Sequence, residues 1–173
     1  MLLRSMAPML ALCGALAGCG MQRMQYTKQD EDRVSALGLP LLLQLDYATS
    51  ASGNLSTVYL SVVNISSDPI KYLEFEFRWY NRVNDEVTRP CKNCGKPHAL
   101  VYRMTGPFEP HTNTPFSYGE GVREEWDALD VTCVELTRVT IVRFNDTKVH
   151  FGQQEIDAML VPGPQKRCVA GTN

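Results

Sequence analysis

The chain has 173 residues, of which 44% are hydrophobic and 21% are charged, and its formal net charge is −2. This length and balance predict one globular domain with a single core. Nucleic-acid binding needs a Lys/Arg patch that displaces counterions, and the sequence has no such patch, so we exclude that class of function.

The N-terminal residues have the layout of a secretory signal. Arg4 precedes a short apolar run from about Met6 to Ala17, and small residues follow. A membrane-spanning helix needs about 20 apolar residues, so the run is too short to be one. Its end, Leu16-Ala17-Gly18-Cys19, resembles the lipobox of bacterial lipoproteins. The resemblance implies cleavage before Cys19, acylation of its sulfur and its new amine, and anchoring in a membrane.

Gly20 follows Cys19, at the position where an Asp in enteric bacteria would retain a lipoprotein in the inner membrane. The resemblance therefore implies an outer-membrane protein that faces the periplasm. The next residues are polar and lack a sustained period, which predicts a flexible tether in which Gln29–Val34 could form a helical turn. We divide the chain into a signal peptide (1–18), a lipidated tether (19–38), a folded domain (39–161) and a C-terminal tail (162–173).

The folded domain begins with two segments that alternate between apolar and other side chains. Leu41 to Tyr47 and Val58 to Val63 are predicted as strands. Residues 64–69 are rich in Asn, Ser, Asp and Pro, which favour a loop.

Ile70 to Asn81 is the clearest strand, because its side chains follow a period of two. The apolar set is Leu73, Phe75, Phe77 and Trp79. The opposite set is Tyr72, Glu74, Glu76, Arg78 and Tyr80. Such an apolar face must be covered by a second layer of structure.

The remaining elements are shorter. A hairpin partner over Glu86–Thr88, a cysteine-bearing loop over 89–97 and a strand over His98–Met104 are predicted. A proline-punctuated extended segment follows, anchored by Phe108, Phe116 and Tyr118.

A short helix is predicted next, over Val122–Leu129, with Trp126 and Leu129 facing the core. A strand over Leu136–Phe144 follows it. That strand shifts phase between Ile141 and Val142, which indicates a bulge. The chain closes with a turn at Asn145-Asp146, a strand over Lys148–Phe151 and a helical turn within Gln153–Leu160.

About seven short strands without a long amphipathic helix predict an all-β fold, an antiparallel β-sandwich of immunoglobulin-like type. Val62 to Asn81 also resembles a segment of small bacterial lipoproteins, the FxLYD-like and YcfL-like domains, and residues 41–151 share this likeness loosely. In those domains a strand ends in Asn, a Ser/Asp loop follows, and an alternating strand ends in aromatic residues. The resemblance implies an immunoglobulin-like fold in the cell envelope and no activity.

Cys91, Cys94, Cys133 and Cys168 remain after Cys13 is removed with the signal and Cys19 is acylated. An even number in an oxidising compartment predicts two disulfides, with three possible pairings. We favour Cys91–Cys94, which are close in any conformation, with Cys133–Cys168, which would tether the tail.

Two other interpretations use the same cysteines. Cys91, Cys94 and His98 have spacing that suits tetrahedral zinc, with Cys133 or His111 as a fourth ligand. A second ligand pair at such spacing is missing, and oxidation competes with metal binding. A redox role for Cys91 and Cys94 would need a thiol of lowered pKa, usually at a helix N-terminus, whereas prolines and a glycine here indicate a loop.

The polar face of Ile70–Asn81 is the best binding candidate, because Tyr and Arg are frequent in binding hot spots. The alternative is an ordinary solvated face with cross-strand ion pairs. The acidic residues Glu124, Glu125, Asp127 and Asp130 indicate a solvated face. His111 and His150 have no nucleophile at a recognisable spacing, so no catalytic residue is predicted.

Two hypotheses for the function follow. The first is a non-catalytic, membrane-anchored module without a cofactor, which binds an envelope protein or glycan or supports envelope assembly. The second is a thiol-redox or metal-handling periplasmic protein that uses Cys91 and Cys94.

Overall fold

The computed structural model describes residues 24–87, 100–118, 130–163, 165 and 168. The elements in chain order are α1 (Lys28–Ala36), β1 (Leu41–Thr49), β2 (Leu55–Asn64), β3 (Ile70–Asn81), β4 (Leu100–Phe108), β5 (Asn113–Tyr118), β6 (Val131–Val142), β7 (Lys148–Phe151) and α2 (Gln153–Met159). Within these ranges, neither helix has the length and apolar character needed to cross a membrane.

The strands form two antiparallel sheets. One sheet has the order β1-β2-β5, and the other has the order β4-β3-β6-β7. One cluster of buried side chains includes residues from both sheets, so the sheets enclose a common core. The prediction of a mostly β fold built from antiparallel sheets is confirmed.

β3 lies in the interior of the four-stranded sheet and has the bounds predicted from its alternation. Leu73 and Phe75 are fully buried, and Phe77 and Trp79 are nearly so. These side chains share the core with Val58 and Leu60 of β2. The predicted assignment of the apolar face to the interior is therefore confirmed.

β6 contains a bulge, but the predicted position was wrong. Ile141 and Val142 pair with Leu73 and Tyr72 without a break in register. Both are buried, Ile141 toward the core and Val142 beside Tyr72 on the opposite face, so the apolar pair needs no bulge. The ladder shifts instead at Thr137, whose hydroxyl donates a 3.1 Å hydrogen bond to the carbonyl oxygen of Glu76.

β6 ends at Val142, so Phe144 lies outside the strand in which it was predicted. The turn predicted at Asn145-Asp146 is present. The Arg143 N–H donates to the Thr147 carbonyl, and the Asp146 N–H donates back to the Arg143 carbonyl. β7 has the bounds that the sequence predicted.

Other predictions are met only in part. Among the described residues up to 87, the expected hairpin partner is a single bridge between Tyr80 and Glu86. Pro115 lies in β5, at an edge of the three-stranded sheet, as the prolines predicted. Phe108 is buried, and Phe116 packs against the core. The loop over 89–97 and the helix over Val122–Leu129 lie outside the described residues, as does the side chain of Tyr118.

α1 shows that residues 24–38 belong to the folded body, which the sequence placed only from residue 39. Thr27 caps the helix through a reciprocal pair of hydrogen bonds with Asp30. Met24 and Val34 are buried, and Arg33 donates to the backbone carbonyls of the C-terminal end of α2, at Ala158 and Leu160. The helical turn predicted over Gln29–Val34 is therefore part of a longer, capped helix, and contacts with a distant part of the chain hold that helix in place.

The C-terminal strap consists of Val161, Gln165 and Cys168, the described residues that follow α2 and contact both sheets. The Val161 N–H donates a 2.8 Å hydrogen bond to the Leu43 carbonyl at the edge of β1. The Gln165 amide accepts from the N–H of Leu136 in β6 and donates to its carbonyl. Cys168 is disulfide-bonded to Cys133. The tether predicted at Cys168 is therefore present, and Gln165 adds a second attachment that the sequence did not predict.

The two ends of the body are distinct. We call one the Met24 end: it carries the connections 64–69, 109–112 and 143–147, and Met24 is joined to it by a hydrogen bond from Asn113. Asn64 links two segments at this end, because its buried amide donates to the carbonyls of Asp68 and Phe108. The opposite, or Val83, end carries the turns 50–54 and 81–85, which Arg82 joins through the Ser52 carbonyl.

Candidate functional surface

The outward face of the four-stranded sheet carries the predicted binding residues, and the structure pairs their charges across strands. Register places Glu74 beside Arg103 of β4, and Glu76 beside Arg138 of β6. Glu74 forms an ion pair with Arg103, and Glu76 lies 3.0 Å from Arg138. Arg78 has a looser contact of 3.9 Å with Glu86. This is the cross-strand pairing that the sequence left open as an alternative.

The arginines cover the glutamates. The side chains of Arg103 and Arg138 are each 57% exposed, whereas those of Glu74 and Glu76 are 14% and 19% exposed. Arg103 also lies 5.6 Å from the centre of the Tyr72 ring, within the range of a cation–π contact. The surface that meets solvent is therefore rich in guanidinium groups, although the sequence of β3 alone is rich in carboxylates.

Tyr80 is not part of this surface, and its prediction as a binding residue is wrong. It is only 6% exposed, and its hydroxyl donates a 3.3 Å hydrogen bond to Glu135. Glu135 also accepts a 2.7 Å hydrogen bond from the Cys168 N–H. Burial raises the pKa of the Tyr80 phenol, and the neighbouring Glu135 charge adds to this effect. The C-terminal strap reaches this part of the outward face, because Cys168 is bound to Glu135 and to Cys133, the residue that pairs with Tyr80.

The exposed residues of the outward face include Arg78, Val101, Arg103 and Arg138, and Tyr72 is exposed in part. Thr105, Lys148 and His150 are exposed on the same face. Val101 is opposite Glu76 and is 56% exposed. Reading β3 by itself missed Val101, Arg103 and Arg138, because they belong to its neighbours β4 and β6. The alternation of side chains within β4 and β6 places these residues on one face of their strand. Which face that is becomes known only when the pairing register with β3 is known.

The disulfide resolves part of the cysteine assignment. Cys133 and Cys168 are joined with an S–S distance of 2.11 Å, as the favoured pairing predicted. A disulfide sulfur is not a thiolate ligand, so Cys133 does not provide the fourth ligand that the zinc interpretation considered. Cys91, Cys94 and His98 lie outside the described residues. Within the described part of the chain, no group of three or more potential metal ligands is present.

The two histidines singled out in the sequence have separate partners. The His150 ring lies 2.8 Å from the hydroxyl of Thr140, a nearly buried residue of β6. His111 lies 3.6 Å from Glu31 of α1. The two rings therefore do not share a site. Of the predicted acidic cluster, Asp130 is described, and it forms a 3.1 Å ion pair with Arg82.

A cleft of about 320 Å³ lies between the edge of β1 and the chain that follows α2. Its wall is mainly apolar, and it is lined by Leu45, Asp46, Tyr47, Val134, Leu160, Val161, Pro162, Gly163 and Gln165. Tyr47 lines the cleft and is 42% exposed. The cleft adjoins the strap and is separate from the arginine-rich face.

No protein-family model matches the chain, and no curated protein matches it.

Proposed function

We propose that the protein is an outer-membrane lipoprotein of the periplasm, anchored through Cys19, whose immunoglobulin-like β-sandwich is a non-catalytic binding module. The anchor is supported by the Leu16-Ala17-Gly18-Cys19 box, directly after an apolar run. The immunoglobulin-like assignment is supported by the arrangement of one three-stranded and one four-stranded antiparallel sheet around a common core. The likeness of Val62–Asn81 to the lipoprotein domains named above agrees with both.

The exposed guanidinium layer on the outward face is the observation that carries the binding role. Arg103 and Arg138 are held in place by carboxylates beneath them, so their orientation is restricted before a partner arrives. Guanidinium groups bind carboxylates and phosphates through paired hydrogen bonds, and arginine is frequent in binding hot spots. The partner that fits is an envelope protein or glycan that presents acidic groups.

The anchor is tested by replacing Cys19 with Ala and growing cells with a labelled fatty acid. The wild-type protein should carry the label and partition with the outer membrane, and Cys19→Ala should do neither. Cys13→Ala is the matched control, because it changes a cysteine that cleavage removes. A labelled, membrane-bound Cys19→Ala protein would show that the proposed anchor is wrong.

The binding face is tested by cross-linking in intact cells, followed by purification of the protein. Arg103→Gln and Arg138→Gln should each reduce the captured partner by about tenfold, since a hot-spot residue contributes more than about 1 kcal/mol. Arg82→Gln is the control, because Arg82 is similarly exposed but lies at the Val83 end. Equal capture by all three variants, with unchanged melting temperatures, would exclude the outward face as the binding surface.

A further inference from the structure

The proposed lipidation site is close in sequence to the folded body. Cys19, which the proposed function acylates, precedes Met24 by five residues. Met24 is buried, and its carbonyl accepts a 3.0 Å hydrogen bond from the Asn113 amide. A fully extended chain advances at most about 3.6 Å per residue, so this linker reaches no further than about 18 Å.

This reach restricts the orientation of the body on a bilayer. β3 has 12 residues, and a strand of that length spans about 40 Å. If the Val83 end faced the bilayer, Met24 would stand about 40 Å away, roughly twice the reach of the linker. The linker therefore excludes an orientation in which the Val83 end faces the bilayer, and it keeps the Met24 end near the bilayer.

An exposed aromatic side chain is fixed at the Met24 end. Phe144 is 56% exposed in the turn between β6 and β7. The flanking Arg143 N–H donates to the Thr147 carbonyl at 3.0 Å, so the turn holds its shape on the sheet. A phenyl ring presented in this way suits the boundary between headgroups and acyl chains, where apolar side chains are removed from water.

The charges at this end do not favour attraction to anionic lipid. Lys148 and Glu109 are both exposed and contribute one charge of each sign. Three other basic groups have acidic partners, in the pairs Lys71–Asp146, Arg143–Asp68 and His111–Glu31. In the adjoining helix α1, Lys28 pairs with Asp32, and Arg33 donates to the carbonyls of Ala158 and Leu160. A polybasic segment would attract anionic lipids, and this end has no such excess among its described residues. Contact with the bilayer therefore depends on the linker and on Phe144.

We propose that the Met24 end is a membrane-docking surface, and that Phe144 enters the lipid interface when Cys19 is acylated. The inference rests on the proposed lipid anchor and adds to it an orientation and a contact residue. The docked body directs the Val83 end away from the bilayer and leaves the outward face of the four-stranded sheet accessible from the side.

The test uses full-length acylated protein in phosphatidylcholine vesicles that contain lipids with brominated acyl chains, which quench nearby indoles. Phe144→Trp and Val83→Trp place an indole at the two ends; Val83 is 72% exposed in the turn 81–85, so it is the matched control. The wild-type quenching is subtracted from that of each variant. The remaining quenching should be at least about twofold greater for Phe144→Trp than for Val83→Trp, because only the Met24 end reaches the acyl chains.

Equal quenching of the two variants, or greater quenching of Val83→Trp, would overturn the proposed orientation. Quenching of Phe144→Trp that appears only when phosphatidylglycerol is added would overturn the apolar contact. Acyl labelling and vesicle flotation are measured on the same samples. Acylated, floating protein with an unquenched Phe144→Trp indole would overturn the docking surface alone. Protein that carries no acyl chain would overturn the anchor, and the docking surface with it.

Discussion

The two faces of β3 differ in what determines the environment of their side chains. The inward face of Leu73, Phe75, Phe77 and Trp79 is buried throughout, as its alternation indicates. On the outward face, Glu74 and Glu76 lie beneath arginines, Arg78 is exposed, and Tyr80 is buried where the C-terminal strap reaches the sheet. A period of two thus determines the side of the sheet on which a residue lies. Distant segments determine whether that side meets water.

Trp79→Ala should produce the largest loss of stability. Truncating a buried aromatic residue removes apolar contacts and leaves a cavity, at a cost of about 3–5 kcal/mol. Arg78→Ala changes the next residue on the outward face, where the ion pair is long and half exposed, and should cost less than about 1 kcal/mol. Urea unfolding of both variants measures the contrast. Equal losses, or a larger loss for Arg78→Ala, would mean that the two faces of β3 are assigned the wrong way round.

Replacing Cys133 and Cys168 together with Ala should have the next largest effect. The disulfide joins residues separated by 35 positions, and removal of such a cross-link usually costs about 2–4 kcal/mol. The strap would then be held to the outward face by noncovalent contacts alone. Wild-type protein treated with a reductant should unfold at the same urea concentration as the double variant. A double variant as stable as the oxidised wild type would show that the cross-link does not fasten the strap.

Tyr80→Phe should have the smallest effect, and its size depends on pH. At neutral pH the variant loses the hydrogen bond to Glu135, at a cost of about 1 kcal/mol. Burial raises the pKa of Tyr80 above 10.0, so the native state holds this proton more tightly than the unfolded chain. The stabilisation is complete below pH 10 and decreases as the pH rises through the folded-state pKa.

The stability difference between wild type and Tyr80→Phe should therefore shrink above pH 10, as measured by urea unfolding at several pH values. Tyr59→Phe is the control, since Tyr59 is exposed on β2. A difference that grows with pH, or that is the same for Tyr59→Phe, would contradict the buried environment of Tyr80.

The strands were predictable because their signals are local. The bounds of β3 and β7 agree with the sequence, since alternating side chains and turn residues define them without reference to other segments. The environment of Tyr80 was not predictable in the same way. It depends on Cys168 and on Glu135, which lies 55 residues away in the chain, and alternation carries no information about either.

The N-terminal segment shows the same limit. α1 has one buried residue, Val34, so no apolar period distinguishes it from a tether. Its position depends on Arg33, which binds a carbonyl 125 residues away. The signal that was available is the pair Thr27 and Asp30, three residues apart, which is the pattern of a helix N-terminus. The arginine-rich surface was likewise hidden, because it appears only when β4 and β6 are placed beside β3.

The contact between Val161 and Leu43 also bears on the behaviour of the protein at high concentration. β1 is an apolar strand at the edge of its sheet, and unpaired edges of this kind can join one copy of a protein to another. The Leu43 carbonyl, which points away from β2, is already bound by the chain's own Val161, and Leu160 forms a parallel bridge with Leu43. The residues after α2 thus occupy part of the edge at which a second molecule would otherwise add a strand, and they oppose growth of the sheet from one molecule to the next.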